Sequence, residues 1–223
     1  MTLELAADQL GEAGAPVVIL HGLMGSARNW ATIAKELAAT HRVLTPDLRN
    51  HGRSPWADRM SFDEMAGDVV AAIEARGLAP AMLVGHSLRE YVDALRAVDL
   101  AKVSRRPEVE AELARTIHDP LMRAFLLQNL VRTPEGYAWR ANLDVIAASL
   151  PELMGFPPSA GLSYAGRALF IAGSRSTYVR DEHRPVIEGL FPKAQFVTIA
   201  GAGHQVHADR PEEFLAQLRP FLR

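Results

Sequence analysis

The chain has 223 residues, 48% of them apolar and 22% charged, which fits one globular domain with room for an inserted subdomain. A net charge of −2 offers no basic field for nucleic acid or an anionic membrane surface. The chain has no cysteine, which excludes disulfides, thiolate catalysis and zinc–thiolate sites.

No apolar run is long enough to span a bilayer. Residues 1–10 carry Glu4 and Asp8 and no leader-like apolar core, so a soluble cytoplasmic protein is expected. Val17, Val18, Ile19 and Leu20 form a short continuous apolar run, the pattern of a buried parallel strand. A helix is predicted from Ala27 to Ala39, with Trp30, Ile33, Ala34 and Leu37 on one face. Arg42 to Leu48 reads as the next strand. Ser61 and Glu64 form a capping box, and Met65, Val69 and Ile73 stripe the helix that follows, ending at Gly77. Ala81 to Gly85 is a third strand. From Arg89 to Leu153 the periodicity is helical and predicts no strand: 89–102, 107–118, 120–131 and 141–150. Alternation then resumes, with a strand at 168–172, a helix at 181–190 and a strand at 196–199. A last helix has Pro211 in its first turn and Phe214, Leu215 and Leu218 facing inward. This order predicts an α/β fold: a mostly parallel sheet with helices on both faces, built from 1–88 and 160–223, with a helical cap from 89 to 159.

The chemistry gathers at strand ends. Ser87, in Val84-Gly85-His86-Ser87-Leu88, sits where a sharp strand-to-helix turn would project a nucleophilic hydroxyl. A capping serine would read the same way taken alone. The loop His21-Gly22-Leu23-Met24-Gly25 follows the first apolar strand, where backbone N–H groups can face an oxyanion. Leu23 and Leu88 are the expected donors. The base must follow the nucleophile in chain order. His204, in Gly201-Ala202-Gly203-His204, lies directly after the last strand, at the edge where open α/β sheets build their sites. His21 precedes the oxyanion loop, His86 flanks the serine and His207 lies closer to the final helix. His51 sits in a polar loop, and His41, His118 and His183 read as solvated.

The segments HGLMGSARNW, DLRNHGRSP, VGHSL and IAGAGHQVHADRPEEF resemble the small bacterial esterases of the YbfF type, within the α/β-hydrolase superfamily. The resemblance spans nearly the whole chain. It implies hydrolysis of acyl esters, extending to acyl-CoA thioesters, with no cofactor or metal and a small-molecule acyl substrate as partner. It puts the oxyanion loop on Leu23, the nucleophile on Ser87 and the base on His204. Arg49 and Asn50, in the second segment, are read as bracing the active-site loops.

The sequence departs from the pattern after the serine. Arg89 stands where the elbow expects glycine. The core helix and strand that should follow, roughly 25–35 residues with their loops, have no counterpart between Leu88 and Arg89. The family's acid follows that strand, so no residue here inherits the role. Asp99, Asp181 and Glu182 are the remaining carboxylates to inspect. An acyl pocket is expected from Tyr91, Leu95, Leu121, Phe125, Leu126, Leu130 and Trp139 of the cap. Two other readings stay open: a binding protein on the same fold with impaired catalysis, and a cofactor-free haloperoxidase or C–C hydrolase. Oligomeric state is not legible.

Overall fold

The computed structural model describes residues 1–86, 91–154 and 161–223, within two compact units, Met1–Gly155 and Phe156–Arg223. No described helix is long and apolar enough to cross a membrane.

The first unit is organised by a four-stranded sheet in the order β1-β3-β2-β4: β1 Ala7–Leu10, β2 Pro16–Leu20, β3 Arg42–Pro46 and β4 Met82–Gly85. β2 runs parallel to both β3 and β4, whereas β1 closes one edge antiparallel to β3. The apolar run in β2 is explained by burial on both faces: Val17 and Val18 are fully buried and Ile19 nearly so. α1 (Ala31–Leu37), preceded by a 3₁₀ turn over Ala27–Trp30, buries Ile33, Ala34 and Leu37. α2 (Phe62–Glu74) opens with the predicted reciprocal cap, Ser61 Oγ accepting from the Glu64 N–H and Glu64 Oε2 accepting from the Ser61 N–H, each at 3.2 Å.

The cap of this unit holds α3 (Val92–Arg96), α4 (Arg106–Leu113), α5 (Pro120–Leu126) and α6 (Leu143–Leu153). The sequence predicts this stretch as entirely helical, and the structure corrects that. An antiparallel hairpin, β5 (Leu130–Thr133) and β6 (Gly136–Trp139), turns at Pro134 and Glu135 and pairs Leu130 with Trp139. Four-residue strands are too short to displace a helical periodicity, and the Pro-Glu-Gly turn is the signal that marks them. Val92, Leu95, Val109, Leu113, Leu126 and Ile146 join Leu23, Met24, Met65 and Val69 in one core cluster. The cap and the loop after β2 therefore share a core.

The second unit pairs β7 (Ala168–Gly173) with β8 (Ala194–Ile199) in parallel over six residues. α7 (Arg184–Leu190) lies between them in sequence; α8 (Val206–Asp209) and α9 (Pro211–Phe221) follow. Phe214, Leu215 and Leu218 of α9 are buried, as their spacing predicts.

Asp68 on α2 is fully buried and holds Arg49, itself 2% exposed, through Nε at 2.7 Å and Nη2 at 3.0 Å. Breaking a buried ion pair costs about 3–5 kcal/mol, and Glu64, 3.3 Å from Arg49 Nη1 and partly exposed, compensates the guanidinium only in part. Asp68→Asn should therefore lower the unfolding free energy by about 3 kcal/mol, read by urea titration with an unchanged m value.

Candidate active site

The loop after β2 must turn sharply while its backbone groups are buried, and side chains from the loop after β3 satisfy them. Gly22 O accepts from the Gly25 N–H at 2.9 Å and from His21 Nδ1 at 2.8 Å. A peptide group is planar, so fixing this carbonyl fixes the Leu23 N–H on its opposite side. Met24 follows with φ of 61°, a left-handed conformation that costs a residue bearing a side chain about 1–2 kcal/mol. Its N–H donates to His51 Nε2 at 3.3 Å.

His21 and His51 share one bonding pattern. Each Nδ1 faces a backbone carbonyl, Gly22 O and Arg49 O, and each Nε2 accepts a backbone N–H, from Leu48 at 2.9 Å and from Met24. An Nε2 that accepts carries no proton, so both rings are neutral. Burial, with the nearby His21, pushes His51 down to about 3. Burial likewise lowers His21, against its bond to Gly22 and the charge of Asp47. Asp47 is held below the ordinary carboxylate range although its burial acts the other way. The N–H groups of Ala27, at 2.6 Å, and of Arg53, at 3.0 Å, outweigh the burial, with the Arg53 guanidinium at 2.9 Å. Gly52 has φ of +55°, and a Cβ there would run into the Asp47 carboxylate.

Arg49 and Asn50 brace these loops as expected. Arg49 donates to Arg59 O and Met1 O as well as to Asp68, and Asn50 Oδ1 accepts from the Ala57 N–H and from Asn142 Nδ2. One histidine reading needs completing and one needs correcting. His51 does sit in its polar loop but is fully buried there. His41 is 8% exposed and bonds Thr40 Oγ1. His51 is a side chain recruited to satisfy turns, an arrangement periodicity does not reveal.

β4 ends at Gly85, and the ladder runs on through the His86 N–H to Leu20 O at 3.1 Å. Ser87, Leu88 and Arg89 lie outside the described residues. The cap residues expected to form an acyl pocket divide. Leu95 and Leu126 are wholly core, Leu130 is buried and Leu121 is 73% exposed. Tyr91, Phe125 and Trp139 pack against the core cluster. Trp139 also lines an open cavity of about 620 Å³ beside Trp56.

In the second unit the loops after β7 and β8 are stitched together. Ser174 Oγ accepts from the Gly201 N–H at 2.9 Å, and the Arg175 N–H donates to Ala202 O at 3.0 Å. Gly173 is required there, because a Cβ would strike the carbonyls of Gly203 and Ala202. His204 projects from this seam. Its Nδ1 lies 3.5 Å from Ser176 Oγ, its ring packs against Tyr178 with centroids 4.2 Å apart and planes tilted by 38°, and the Ser176 hydroxyl accepts from the Tyr178 N–H. Ser176 and Tyr178 escape the sequence reading, which searches this loop for a carboxylate. Asp181 pairs with Arg184 and Glu182 with Arg180, while in the first unit Asp99 pairs with Lys102. No described cluster of histidine and carboxylate side chains forms a metal site.

Known proteins show the same pattern. Residues 15–88 match the family described as alpha/beta hydrolase fold. The sn-1-specific diacylglycerol lipase ABHD11 of Mus musculus is 34% identical over 254 aligned positions, covering 95% of this chain and 82% of the relative. Esterase YbfF of Escherichia coli is 30% identical, covering 93% and 92%. The solved structure of a marine microorganism esterase superposes with a TM-score of 0.93 at 33% identity, covering 99% of this chain and 100% of its own. The mouse alignment spans 254 positions and 95% of this chain is about 212 residues, so about 42 positions face no residue here.

The neutral histidines carry a pH dependence. An unfolded histidine titrates near 6.5, whereas folded His51 stays neutral down to about 3. The folded state thus binds fewer protons in that interval. The stabilising contribution is complete above pH 6.5 and is lost as pH falls towards 3, at up to about 1.4 kcal/mol per pH unit. Thermal unfolding between pH 7 and 4 should show a steeper fall for the native protein than for His51→Gln. Parallel curves would assign the acid lability elsewhere.

Proposed function

Since the chain belongs to the α/β-hydrolase family, we propose that it cleaves carboxylic acyl esters, and thioesters of the same acyl groups, through an acyl-enzyme on Ser87. Ser87 Oγ attacks the acyl carbon as His204 Nε2 takes its proton. The negative charge that forms on the carbonyl oxygen is met by the N–H groups of Leu23 and Leu88, each such donor being worth roughly 3 kcal/mol. The tetrahedral adduct collapses, His204 returns the proton to the departing alcohol or thiol, and water deacylates Ser87 with His204 again as base.

The observation that carries this reading is the setting of His204. An Nδ1–H given to the Ser176 hydroxyl, which already accepts the Tyr178 N–H, leaves Nε2 as the basic nitrogen. The locked Gly22 carbonyl supports the second half, because it commits the Leu23 N–H to one direction. Trp139 and Phe125 belong to the cap face we assign to acyl contact, with Leu95 and Leu126 as core behind it.

We also propose that the chain lacks a core helix and strand between Leu88 and Arg89, where the cap sequence follows Leu88 directly. Among the described residues β4 pairs with β2 and β7 with β8. Leu83, in the middle of β4, is 61% exposed, and Phe170 and Ile171 of β7 are half-buried where an inner parallel strand is wholly covered. The roughly 42 unmatched positions exceed the length of the missing pair of elements. The family's acid follows that strand, so no residue of this sequence inherits its place, and Ser176 Oγ lies 3.5 Å from His204 Nδ1. A serine triad whose aspartate is replaced loses about 10⁴-fold in kcat.

A fluorophosphonate probe should label Ser87, and Ser87→Ala should abolish both labelling and p-nitrophenyl butyrate turnover. The kcat/KM should fall as pH drops through the ordinary histidine range near 6.5. Absence of a Ser87 adduct on folded protein would overturn the hydrolase reading in favour of a binding protein. Ser176→Asp places a carboxylate at the same nitrogen and should raise kcat at least tenfold, about 1.4 kcal/mol of barrier.

A further inference from the structure

We propose that Asn129, in the cap, is a positioning residue for the oxyanion loop: it anchors a hydrogen-bonded relay of peptide groups that ends at the Leu23 N–H. The inference rests on the proposed role of Leu23.

Asn129 ends the 3₁₀ turn between α5 and β5 and is 4% exposed. Its Nδ2 donates to Met24 O at 2.7 Å and to Leu126 O at 3.3 Å, and its backbone carbonyl accepts from the Arg140 N–H at 2.8 Å. The residue is thus fixed at the root of the β5–β6 hairpin and reaches across 105 positions of sequence to one carbonyl. That carbonyl belongs to Met24, the left-handed residue of the loop.

The relay follows from planarity. The peptide group that carries Met24 C=O also carries the Gly25 N–H, and that N–H donates to Gly22 O. The group carrying Gly22 C=O also carries the Leu23 N–H. The sequence of bonds is therefore Asn129 Nδ2–H to Met24 O, Gly25 N–H to Gly22 O, and Leu23 N–H to the oxyanion. Each planar unit transmits orientation to the next, and hydrogen bonds in series polarise one another. The amide of Asn129 both holds the turn and strengthens the last donor. His51 fixes the intervening Leu23–Met24 peptide by accepting the Met24 N–H. Both backbone groups of a conformationally costly residue are thus held by side chains, one from the core and one from the cap. Without the cap's share, the loop can relax towards an ordinary backbone region and swing the Leu23 N–H away.

Asn129→Asp keeps the shape and removes the donor, and Asn129→Ala removes both shape and donor. Gln128→Ala deletes the neighbouring cap-to-loop bond, Gln128 Oε1 to Asn29 Nδ2 at 2.8 Å, and leaves the relay intact. With p-nitrophenyl butyrate, both Asn129 variants should lose 10-fold or more in kcat with KM within twofold. Full loss of one oxyanion donor is worth about 10²–10³. Affinity for a trifluoromethyl ketone, which forms a tetrahedral adduct on serine, should fall in proportion to kcat. Gln128→Ala should keep kcat within twofold. A purely structural role would lower the Tm and the active fraction without this parallel loss. A folded Asn129→Asp or Asn129→Ala with native kcat overturns the inference, as does an equal loss in Gln128→Ala. Should one Asn129 variant fail to fold, the other decides. Native protein that neither labels on Ser87 nor turns over ester sinks the hydrolase reading and this inference together. Native turnover abolished by Ser87→Ala, with unaffected Asn129 variants, sinks the inference alone.

Discussion

Buried backbone polar groups at the carboxyl edge of β2 and β3 must find partners where the ladder stops, and the first unit is arranged around that requirement. An unpaired buried N–H or C=O costs about 1–3 kcal/mol. Between Leu20 and Pro55 the chain makes two tight turns within the interior. Asp47 takes the N–H groups of Ala27 and Arg53, His21 takes that of Leu48, and His51 takes that of Met24. Ser54 donates to Asp47 O and accepts the Ala6 N–H, which ties β1 to the same knot. Asp47 accepts as a carboxylate, and His21 and His51 accept through an unprotonated Nε2. The rigidity of the loop is therefore chemical as well as steric.

A polar knot of this kind also explains why the cap is not an independent lid. Asn129 enters it through Met24 O, Asn142 bonds Asn50, and the Trp56 indole N–H donates to Arg140 O. Around these bonds Leu23 and Met24 share apolar contacts with the cap helices. A cap that moved as a rigid body would break polar bonds and open apolar surface together. The geometry makes this helical and hairpin stretch part of the scaffold of the first unit.

The legible parts of the sequence were those governed by periodicity and by strand-end chemistry. Val17–Leu20, the Ser61–Glu64 cap and the inward face of α9 follow from local rules that the fold does not override. Arg49 and Asn50 were readable as braces because a charged or amide side chain between buried strands needs partners. The β5–β6 hairpin was hidden because Leu130 and Val131 continue a helical spacing up to the turn. The burial of His51 and of His41 was hidden because it depends on contacts between segments, Met24 with His51 and the glycine turn at Gly11–Gly14 with His41. Ser176 and Asn129 were invisible for the same reason. A hydroxyl or amide becomes functional only through the partner that tertiary structure brings, and neither residue type stands out in composition.

The family pattern breaks after Leu88 in the sequence, and the strands before and after that point answer to a single rule. A parallel strand with an unbroken apolar run is stable because helices cover both its faces and neighbours pair both its edges. β2 meets that condition, with β3 and β4 beside it. β4 and β7 carry similar runs, Met82–Gly85 and Ala168–Gly173, yet each has one described partner, and their side chains remain partly exposed. Apolar side chains of that density on an exposed strand lose the burial that would stabilise them, about 25 cal/mol per Å². Their sequences therefore record an environment richer than the one this chain supplies. A further strand beside β4, and one beside β7, would meet the need of each. The loop after β2, by contrast, is held by its own polar knot and needs no further strand to keep its turn.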